Sequence, residues 1–319
     1  MSQGTTDFAQ LQQAFRRWLE RHDRSEHTIR AYISDLRQFR AWFKAHTGEV
    51  FTLQAVTEYD LQDWRAHLKA KWKPATVNRK LAALSTCFTW AQEALALDHD
   101  PTEHVNGLRQ QRTAPQALSE RELKRLLRKV RTQGTKRDIA LLELLAATGL
   151  RMSEVAELRT GDLDLQPRSG WVTVREGKGR KRRRVPIHAR ARRALRVYFV
   201  ERALLTDVDA TVDEAPETTP VFLSRTGERL SAYAIWYTVK KYARLAKLAD
   251  VTPHTFRHTV ATRMVRNPEI DMVTAATFLG HTRLETTARY SQPNEDDLST
   301  TKNGKCYLIL MRSKRRSPL

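Results

Sequence analysis

Apolar residues near the N-terminus recur at steps of three and four. The clearest run is Ile29, Tyr32, Ile33, Leu36, Phe39, Trp42 and Phe43. This spacing places the apolar side chains on one face of a helix, which has to be buried against other helices. Related apolar patterns occur in residues 8–19, in a segment whose start Thr57 can cap, and in a segment that begins at Pro74. No part of this region shows the alternating pattern of a strand. The sequence therefore predicts a small bundle of four helices.

The rest of the chain combines helical segments with one pair of strands. Ser119 and Glu122 have the spacing of a capping box, and an apolar helical segment ends at Gly149, which has the backbone freedom that a helix stop needs. Residues 171–174 and 185–187 flank a glycine-containing turn, which is typical of a β-hairpin. We expect a mainly α fold with a small β-sheet, in which a mixed α+β domain follows the helical one.

A polar stretch without periodicity separates the two regions. Pro101, Gly107 and Pro115 interrupt it, as is typical of an interdomain linker. The resulting boundaries are an N-terminal domain at 1–108, a linker at 109–117, a second domain at 118–298 and a tail at 299–319. Residues 306–311 of the tail are six contiguous apolar residues, which predicts a short buried strand added to a sheet in the same chain or in a neighbour.

The excess of cationic residues indicates the chemical class of the binding partner. The chain has 56 Lys and Arg against 36 Asp and Glu, and of the net charge of +20, +17 follows residue 113. Cations placed near phosphates release condensed counterions, so the charge favours a polyanion, with nucleic acid as the first candidate. The longest apolar stretch is too short to cross a bilayer, the two cysteines are too few for a disulfide framework, and the start lacks a secretory pattern. These features predict a cytoplasmic protein without a membrane partner.

Arg151 lies two residues after Gly149, where the preceding helix is predicted to end. From such a fixed corner a guanidinium can donate two parallel hydrogen bonds to phosphate oxygens. Glu154, three residues later, can hold Arg151 in position or simply favour the start of a helix. An arginine at a helix end is more often only solvated, so this segment does not identify a site by itself.

The turn of the predicted hairpin carries Lys178 between two glycines, followed by a run of cations. A lysine can give up its proton, so Lys178 can act as a general acid, although a purely electrostatic anchor explains it as well. For the run itself we favour electrostatic contact with a phosphate backbone. The cations in this run that we predict to bind are Arg180, Lys181, Arg182 and Arg183. In the helical domain Arg79 and Lys80 are predicted to be exposed and able to contact DNA, with solvated helix faces as the alternative.

His254, Arg257 and His258 fall at helical spacings of three and four and share a face. An imidazole beside a guanidinium suits a phosphoryl centre, where one group stabilises charge and the other moves a proton. A metal site is the alternative. We consider it weaker because an arginine opposes a cation and no carboxylate or cysteine lies at ligand spacing.

His281 and Tyr290 lie in the last helical segments before the tail. Gly280 and His281 follow an apolar helix, and Tyr290 comes nine residues later near the end of a short helix, where its phenol can be presented to a substrate. A tyrosine at a helix end usually serves packing, so Tyr290 carries no functional prediction alone.

Together, these segments form a pattern in a fixed order. TGLRMSE, GKGRKRRRVP, PHTFRH and LGHTRLETTARY resemble the motifs of the tyrosine recombinase (phage integrase) family, most closely its Xer-type and transposon-integrase members. The resemblance covers residues 117–298, and the N-terminal bundle is similar to the SAM-like core-binding domain that helps to clamp DNA. It implies catalytic roles for six residues, with Tyr290 as the nucleophile: Arg151, Lys178, His254, Arg257, His281 and Tyr290.

The resemblance also implies a reaction and its partners. The tyrosine would attack a DNA phosphodiester and leave a 3′-phosphotyrosyl link and a free 5′ hydroxyl, and no cofactor or metal is needed because the link stores the bond energy. The partners would be double-stranded DNA of the nucleoid and three further copies of the chain. The copies, which would be monomers when free, would form a tetramer on paired recombination sites. A type IB topoisomerase-like enzyme and a non-catalytic DNA-binding regulator remain alternatives on the same fold. An RNA-binding protein would explain the charge but not the ordered motifs.

Overall fold

The chain divides into two units, Met1–Arg112 and Thr113–Leu319. The computed structural model describes residues 8–109, 117–175, 182–206, 217–248, 250–281 and 283–291. The tip of the predicted hairpin and the predicted tail strand at 306–311 lie outside the described residues. In the described part, no helix combines the length and the apolar character needed to span a membrane.

The first unit is the four-helix bundle that the apolar spacing predicts. Its helices are α1 (Phe8–Arg21), α2 (Glu26–Thr47), α3 (Glu58–Lys71) and α4 (Pro74–Leu95). Thr57 and Asp60 form the capping box of α3, and Pro74 occupies the first turn of α4, where its missing N–H costs nothing. Phe39 of α2 packs edge-on against Trp64 of α3, with ring centroids 5.7 Å apart. Cys87 is fully buried in this core, as expected of a core cysteine.

Lys80 is buried, so the prediction that it is exposed is wrong. Its residue is 3% exposed, and its ammonium donates hydrogen bonds to Asp35 Oδ1 (2.8 Å) and Gln38 Oε1 (2.7 Å). Arg79 also donates to the Asp35 carboxylate, although its own side chain is 42% exposed. The pattern of apolar spacing did not reveal this because Asp35, one residue before Leu36, also faces the bundle interior. Lys80 therefore compensates a buried carboxylate and is not available to DNA in this structure.

The second unit is mainly helical and contains one small sheet. Its helices are α5 (Glu120–Gln133), α6 (Lys136–Thr148), α7 (Met152–Glu157), α8 (Ala189–Thr206), α9 (Ala232–Leu245), α10 (Pro253–Arg266), α11 (Met272–Leu279) and α12 (Leu284–Ala288). The capping box of Ser119 and Glu122 starts α5 as predicted, with Ser119 N donating to Glu122 Oε2 at 2.9 Å. Helix α6 is the central element, since Leu141, Leu142 and Leu144 are all fully buried. It packs against α5, α8 and α10.

The sheet contains the predicted strand pair and one strand more. Strands β2 (Gly170–Val174) and β3 (Arg183–Pro186) pair antiparallel, with Val172 opposite Val185. Strand β1 (Leu163–Leu165) pairs antiparallel with the other edge of β2, giving the order β1-β2-β3. The sequence did not predict β1, because three residues are too few to show an alternating pattern. Strand β3 packs against α11.

Candidate active site

The corner between α6 and α7 positions Arg151. Helix α6 ends at Gly149, whose φ of +60° is a left-handed conformation that favours glycine. Arg151 is then the N-cap of α7, and its backbone N–H donates to Glu154 Oε2 at 2.8 Å. Its side-chain Nη1 donates to Glu154 Oε1 at 2.7 Å. Glu154 thus caps the helix and also holds the guanidinium, the two functions that the sequence left as alternatives.

Arg257 on α10 joins three elements at the same corner. Its side chain is buried, and Nη1 donates to Gly149 O at 3.0 Å while Nη2 donates to Leu279 O at the end of α11. Arg151 Nη2 donates to Gly280 O, one residue further on, at 3.0 Å. The two arginines therefore converge on consecutive carbonyl groups, and main-chain atoms fix both guanidinium planes.

Arg183 is part of this corner, which corrects the prediction that it belongs to an exposed basic run. Its side chain is 7% exposed, and Nη2 donates to Glu154 Oε2 at 2.9 Å. Its Nε donates to Phe278 O at 3.2 Å. Alternation explains the burial, because Arg183 lies on the same face of β3 as the buried Val185. The sequence held this signal, since Val185 and Ile187 continue that face.

His281 follows the end of α11. Gly280 ends that helix with a φ of +67°, and a Cβ on it would lie 2.6 Å from Arg183 Nη1. His281 Nδ1 is hydrogen-bonded to the buried Thr287 Oγ1 on α12 at 2.8 Å. The His281 ring is parallel to the Tyr290 ring, with centroids 6.2 Å apart. The sequence contains no motif that pairs Thr287 with His281, six residues earlier.

Tyr290 lies two residues after the end of α12 and is 4% exposed. Its ring packs with Val260 and Leu279, while its hydroxyl forms a hydrogen bond with His258 Nδ1, with Oη and Nδ1 2.9 Å apart. The sequence predicts that His258 shares a helix face with His254 and Arg257, but it predicts no function for His258. Its spacing was the only signal for it, because nothing in the sequence brings residue 258 to residue 290.

Burial and positive charge keep the histidines of the site neutral. Burial is the largest cause of the lowered pKa in all three histidines. Burial, followed by the charge of the neighbouring His254, lowers the pKa of His258 to about 4. Burial and the charges of Arg257 and Arg151 lower the pKa of His281 to about 4 and shift the pKa of His254 in the same direction. The rings of His254 and His258 are 6.3 Å apart. At neutral pH two imidazoles therefore flank Tyr290 in their uncharged form.

The charges of the arginines act on Tyr290 as well. Burial raises the pKa of the Tyr290 phenol, while Arg257, Arg289 and Arg151 oppose this rise because they favour the phenolate. Burial lowers the pKa of Arg257 to about 10, so its guanidinium remains protonated at neutral pH. The site is thus a partly desolvated cluster of positive charge around a phenol.

The structure brings five of the six predicted catalytic residues into one region. They are Arg151, His254, Arg257, His281 and Tyr290. Lys178, Arg180 and Lys181 lie outside the described residues, and Arg182 is exposed just before β3. Arg79 and Lys80 belong to the other unit. Among the described residues, no three His, Cys, Asp or Glu side chains are grouped as metal ligands.

Comparison with known proteins identifies the family. The model of the phage integrase family matches residues 116–297, and the model of the phage integrase N-terminal SAM-like domain matches residues 13–94. The chain belongs to the phage integrase family of tyrosine recombinases. This confirms the predicted family, the predicted fold class and the prediction that the chain is an enzyme.

Relatives of this recombinase match it over most of their length. It is 33% identical over 296 residues to the tyrosine recombinase XerC of Roseiflexus castenholzii, with 91% of each chain covered. Its fold is similar to that of the XerH site-specific recombinase in a post-cleavage complex with palindromic difH substrate (TM-score 0.73, 19% identity, 93% of this chain and 84% of that one). It is also similar to a lambda integrase tetramer bound to a Holliday junction (TM-score 0.63, 15% identity, 88% and 79% covered).

Proposed function

We propose that this recombinase cleaves and rejoins double-stranded DNA at specific sites through a 3′-phosphotyrosyl link to Tyr290. The observation that supports this most directly is that Arg151 and Arg257 converge on the carbonyl groups at the end of α11 and act on Tyr290 through charges that favour its phenolate. In the proposed reaction Oη attacks a phosphodiester phosphorus, the bond from phosphorus to the 5′ oxygen breaks, and a free 5′ hydroxyl results. The reverse attack by a 5′ hydroxyl rejoins the strand.

The two arginines would stabilise the charge of the transition state. A guanidinium has five N–H donors, and the bonds of Arg257 to Gly149 O and Leu279 O use two of them. Because main-chain carbonyls and Glu154 already orient both guanidinium groups, binding a phosphate requires little reorganisation, which is the condition for strong electrostatic stabilisation. This arrangement also favours a site for a phosphoryl group over one for a metal cation.

The remaining predicted residues would handle protons and bind the DNA. We assign Lys178, on the turn between β2 and β3, as the general acid for the departing 5′ oxygen. His254 and His281 would position the phosphate and exchange protons with it. The cations that would contact the DNA backbone are Arg180, Lys181, Arg182 and Arg79.

We further propose that four copies act on two paired sites of nucleoid DNA in the cytoplasm, assembled from monomers. The similarity in fold to the lambda integrase tetramer on a Holliday junction supports this assembly. The XerH complex with difH substrate supports a DNA duplex as the partner. The net charge of +17 after residue 113 is consistent with a polyanion bound mainly by the second unit.

A covalent trap tests this proposal. We would incubate the protein with a library of nicked duplexes of randomised sequence, denature the mixture, and recover and sequence DNA that remains attached to protein. The wild type and the control Tyr237→Phe, which alters an exposed tyrosine, should yield adducts with a common sequence, and Tyr290→Phe should yield none. Absence of adduct from the wild type, or its persistence in Tyr290→Phe, would refute the proposal.

The recovered sequence then separates strand exchange from simple relaxation. Supercoiled plasmids carrying two copies of the site should give recombinant products with the wild type. Relaxation without any recombinant product would point instead to a topoisomerase-like enzyme on this fold. Binding without cleavage would point to a regulator.

A further inference from the structure

The hydrogen bond between Tyr290 and His258 has no function in the reaction described so far. Tyr290 Oη and His258 Nδ1 are 2.9 Å apart, within the range in which a general base takes a proton. The ring centroids are 5.5 Å apart, so the imidazole lies beside the phenol and does not stack on it face to face. If Tyr290 is the nucleophile, its hydroxyl proton must leave before or during the attack on phosphorus.

The surroundings of His258 keep its ring uncharged. The groups that face it are His254 and Arg257 on its own helix, with Arg289 and Tyr290 beyond α12. None of these described groups is a carboxylate, so none of them stabilises an imidazolium before the reaction starts. Burial and this positive surrounding lower the pKa of His258 to about 4, so the ring is uncharged at neutral pH. In the tautomer that carries its proton on Nε2, Nδ1 accepts a hydrogen bond from the phenol O–H.

The other two histidines are less suited to this task. His281 Nδ1 is engaged with Thr287 Oγ1 at 2.8 Å, and its ring lies parallel to the phenol ring. The His254 ring is next to the His258 ring, with centroids 6.3 Å apart, while the hydrogen bond to the Tyr290 hydroxyl is made by His258. Among the described residues, His258 is thus the hydrogen-bond partner of the Tyr290 hydroxyl.

We propose that His258 is a catalytic residue of the cleavage step, the general base that takes the proton from Tyr290. The inference rests on the proposed function. The O–H bond of Tyr290 breaks and the proton moves to His258 Nδ1, while the bond from Oη to phosphorus forms. The bond from phosphorus to the 5′ oxygen breaks, and that oxygen takes a proton from Lys178. In rejoining, the imidazolium returns its proton to the departing phenolate, so no net proton is consumed.

Substitution of His258 by glutamine separates proton transfer from simple positioning. Glutamine can accept the hydrogen bond from Tyr290 but cannot take its proton at neutral pH. Single-turnover cleavage of the duplex recovered with the wild type should be slower in His258→Gln by about 10²-fold or more. Between about pH 6 and pH 9 the variant rate should rise about tenfold per pH unit, because the phenol must ionise on its own, while the wild-type rate should be nearly level. The exposed His188→Gln is the matched control and should behave like the wild type.

Two further measurements distinguish proton transfer by His258 from simple positioning. Added imidazole should restore cleavage by His258→Ala, and a fluorinated tyrosine of lower pKa at position 290 should shrink the defect of His258→Gln. Wild-type rate and pH profile in His258→Gln would overturn the role of His258 as base and leave Tyr290 as nucleophile untouched. A defect that is the same at every pH, with no rescue by imidazole, would reduce His258 to a positioning residue. Failure of the proposed function itself is recognised separately, by the absence of adduct from the wild type.

Discussion

Arg257 is a buried cation whose partners are main-chain carbonyl oxygens. Its bonds to Gly149 O and Leu279 O compensate the desolvation of the guanidinium, and it forms no ion pair with a carboxylate of the described residues. Arg183 differs, because the carboxylate of Glu154 offsets its charge. This difference in partners leaves the positive field of Arg257 directed at Tyr290 and makes Arg183 a structural support.

The buried histidines make stability depend on pH. His258 and His281 have folded-state pKa values of about 4 against an ordinary value of 6.5, so the unfolded chain binds more protons between those limits. Stability should therefore fall as the pH decreases from about 6.5 towards about 4. The midpoint temperature of thermal unfolding of the second unit, measured by calorimetry, should decrease as the pH is lowered through this range. The double variant His258→Gln, His281→Gln should flatten the dependence, and an equally steep curve in that variant would contradict the assignment.

Lys80 provides a test of the buried ion pair in the first unit. Lys80→Met removes the ammonium from Asp35 Oδ1 and Gln38 Oε1 and leaves the carboxylate with Arg79 alone. We expect a loss of about 3 kcal/mol in the free energy of unfolding of this unit, measured with urea. Lys69→Met, at an exposed position of α3, should change it by less than about 0.5 kcal/mol. Equal effects of the two substitutions would mean that Lys80 contributes as an ordinary surface lysine.

The residues that sequence reasoning placed wrongly share one physical cause. Lys80 and Arg183 are charged, and a charged residue is buried only when specific partners compensate it. For Lys80 that partner, Asp35, is 45 positions away, and for Arg183 the partner, Glu154, is 29 positions away. Only the alternation of β3 gave a local sign, and only for Arg183. His258 likewise acquires its contact with Tyr290 through tertiary structure.

The end of α11 is the element that joins the site. Phe278, Leu279 and Gly280 offer consecutive carbonyl oxygens, which Arg183, Arg257 and Arg151 bind in that order. This requires the chain to turn sharply at Gly280, with its φ of +67°. The helix therefore serves as a common anchor for three arginines from three different elements.

Gly280→Ala should disturb this anchor more than it disturbs the backbone alone. A left-handed alanine costs about 1–2 kcal/mol, and the new Cβ would also lie 2.6 Å from Arg183 Nη1. Gly227→Ala is the matched control, because its φ of +79° is similar but a Cβ there meets nothing within 4 Å. Gly280→Ala should lower the free energy of unfolding by at least about 1 kcal/mol more than the control and slow cleavage. Equal losses of stability would show that Arg183 accommodates the methyl group.

Elements were more predictable than contacts. The helices of the first unit, the helix cap at Thr57, the capping box at Ser119 and the strand pair follow from local spacing and turn chemistry, and the structure confirms them. Strand β1 was missed because its three residues form a strand only by pairing with β2. The tertiary contacts at Gly280 have no local signature beyond the glycine itself.

At the level of the whole molecule, the charge and the ordered motifs carry different information. The net charge of +20 indicates a polyanionic partner but does not identify a reaction. The motifs predicted the family, which the match of residues 116–297 confirms. Neither specifies how Glu154 links Arg151 to Arg183, because that link depends on the packing of β3 against α11.

The position and polarity of the covalent link test the central claim most directly. DNA trapped on the wild-type protein would be digested with nuclease and protease, and the linked peptide identified by mass spectrometry. The account predicts a peptide in which Tyr290 carries a nucleotide through its 3′ phosphate, with a free 5′ hydroxyl on the other side of the break. A link to any other residue, or through a 5′ phosphate, would contradict it.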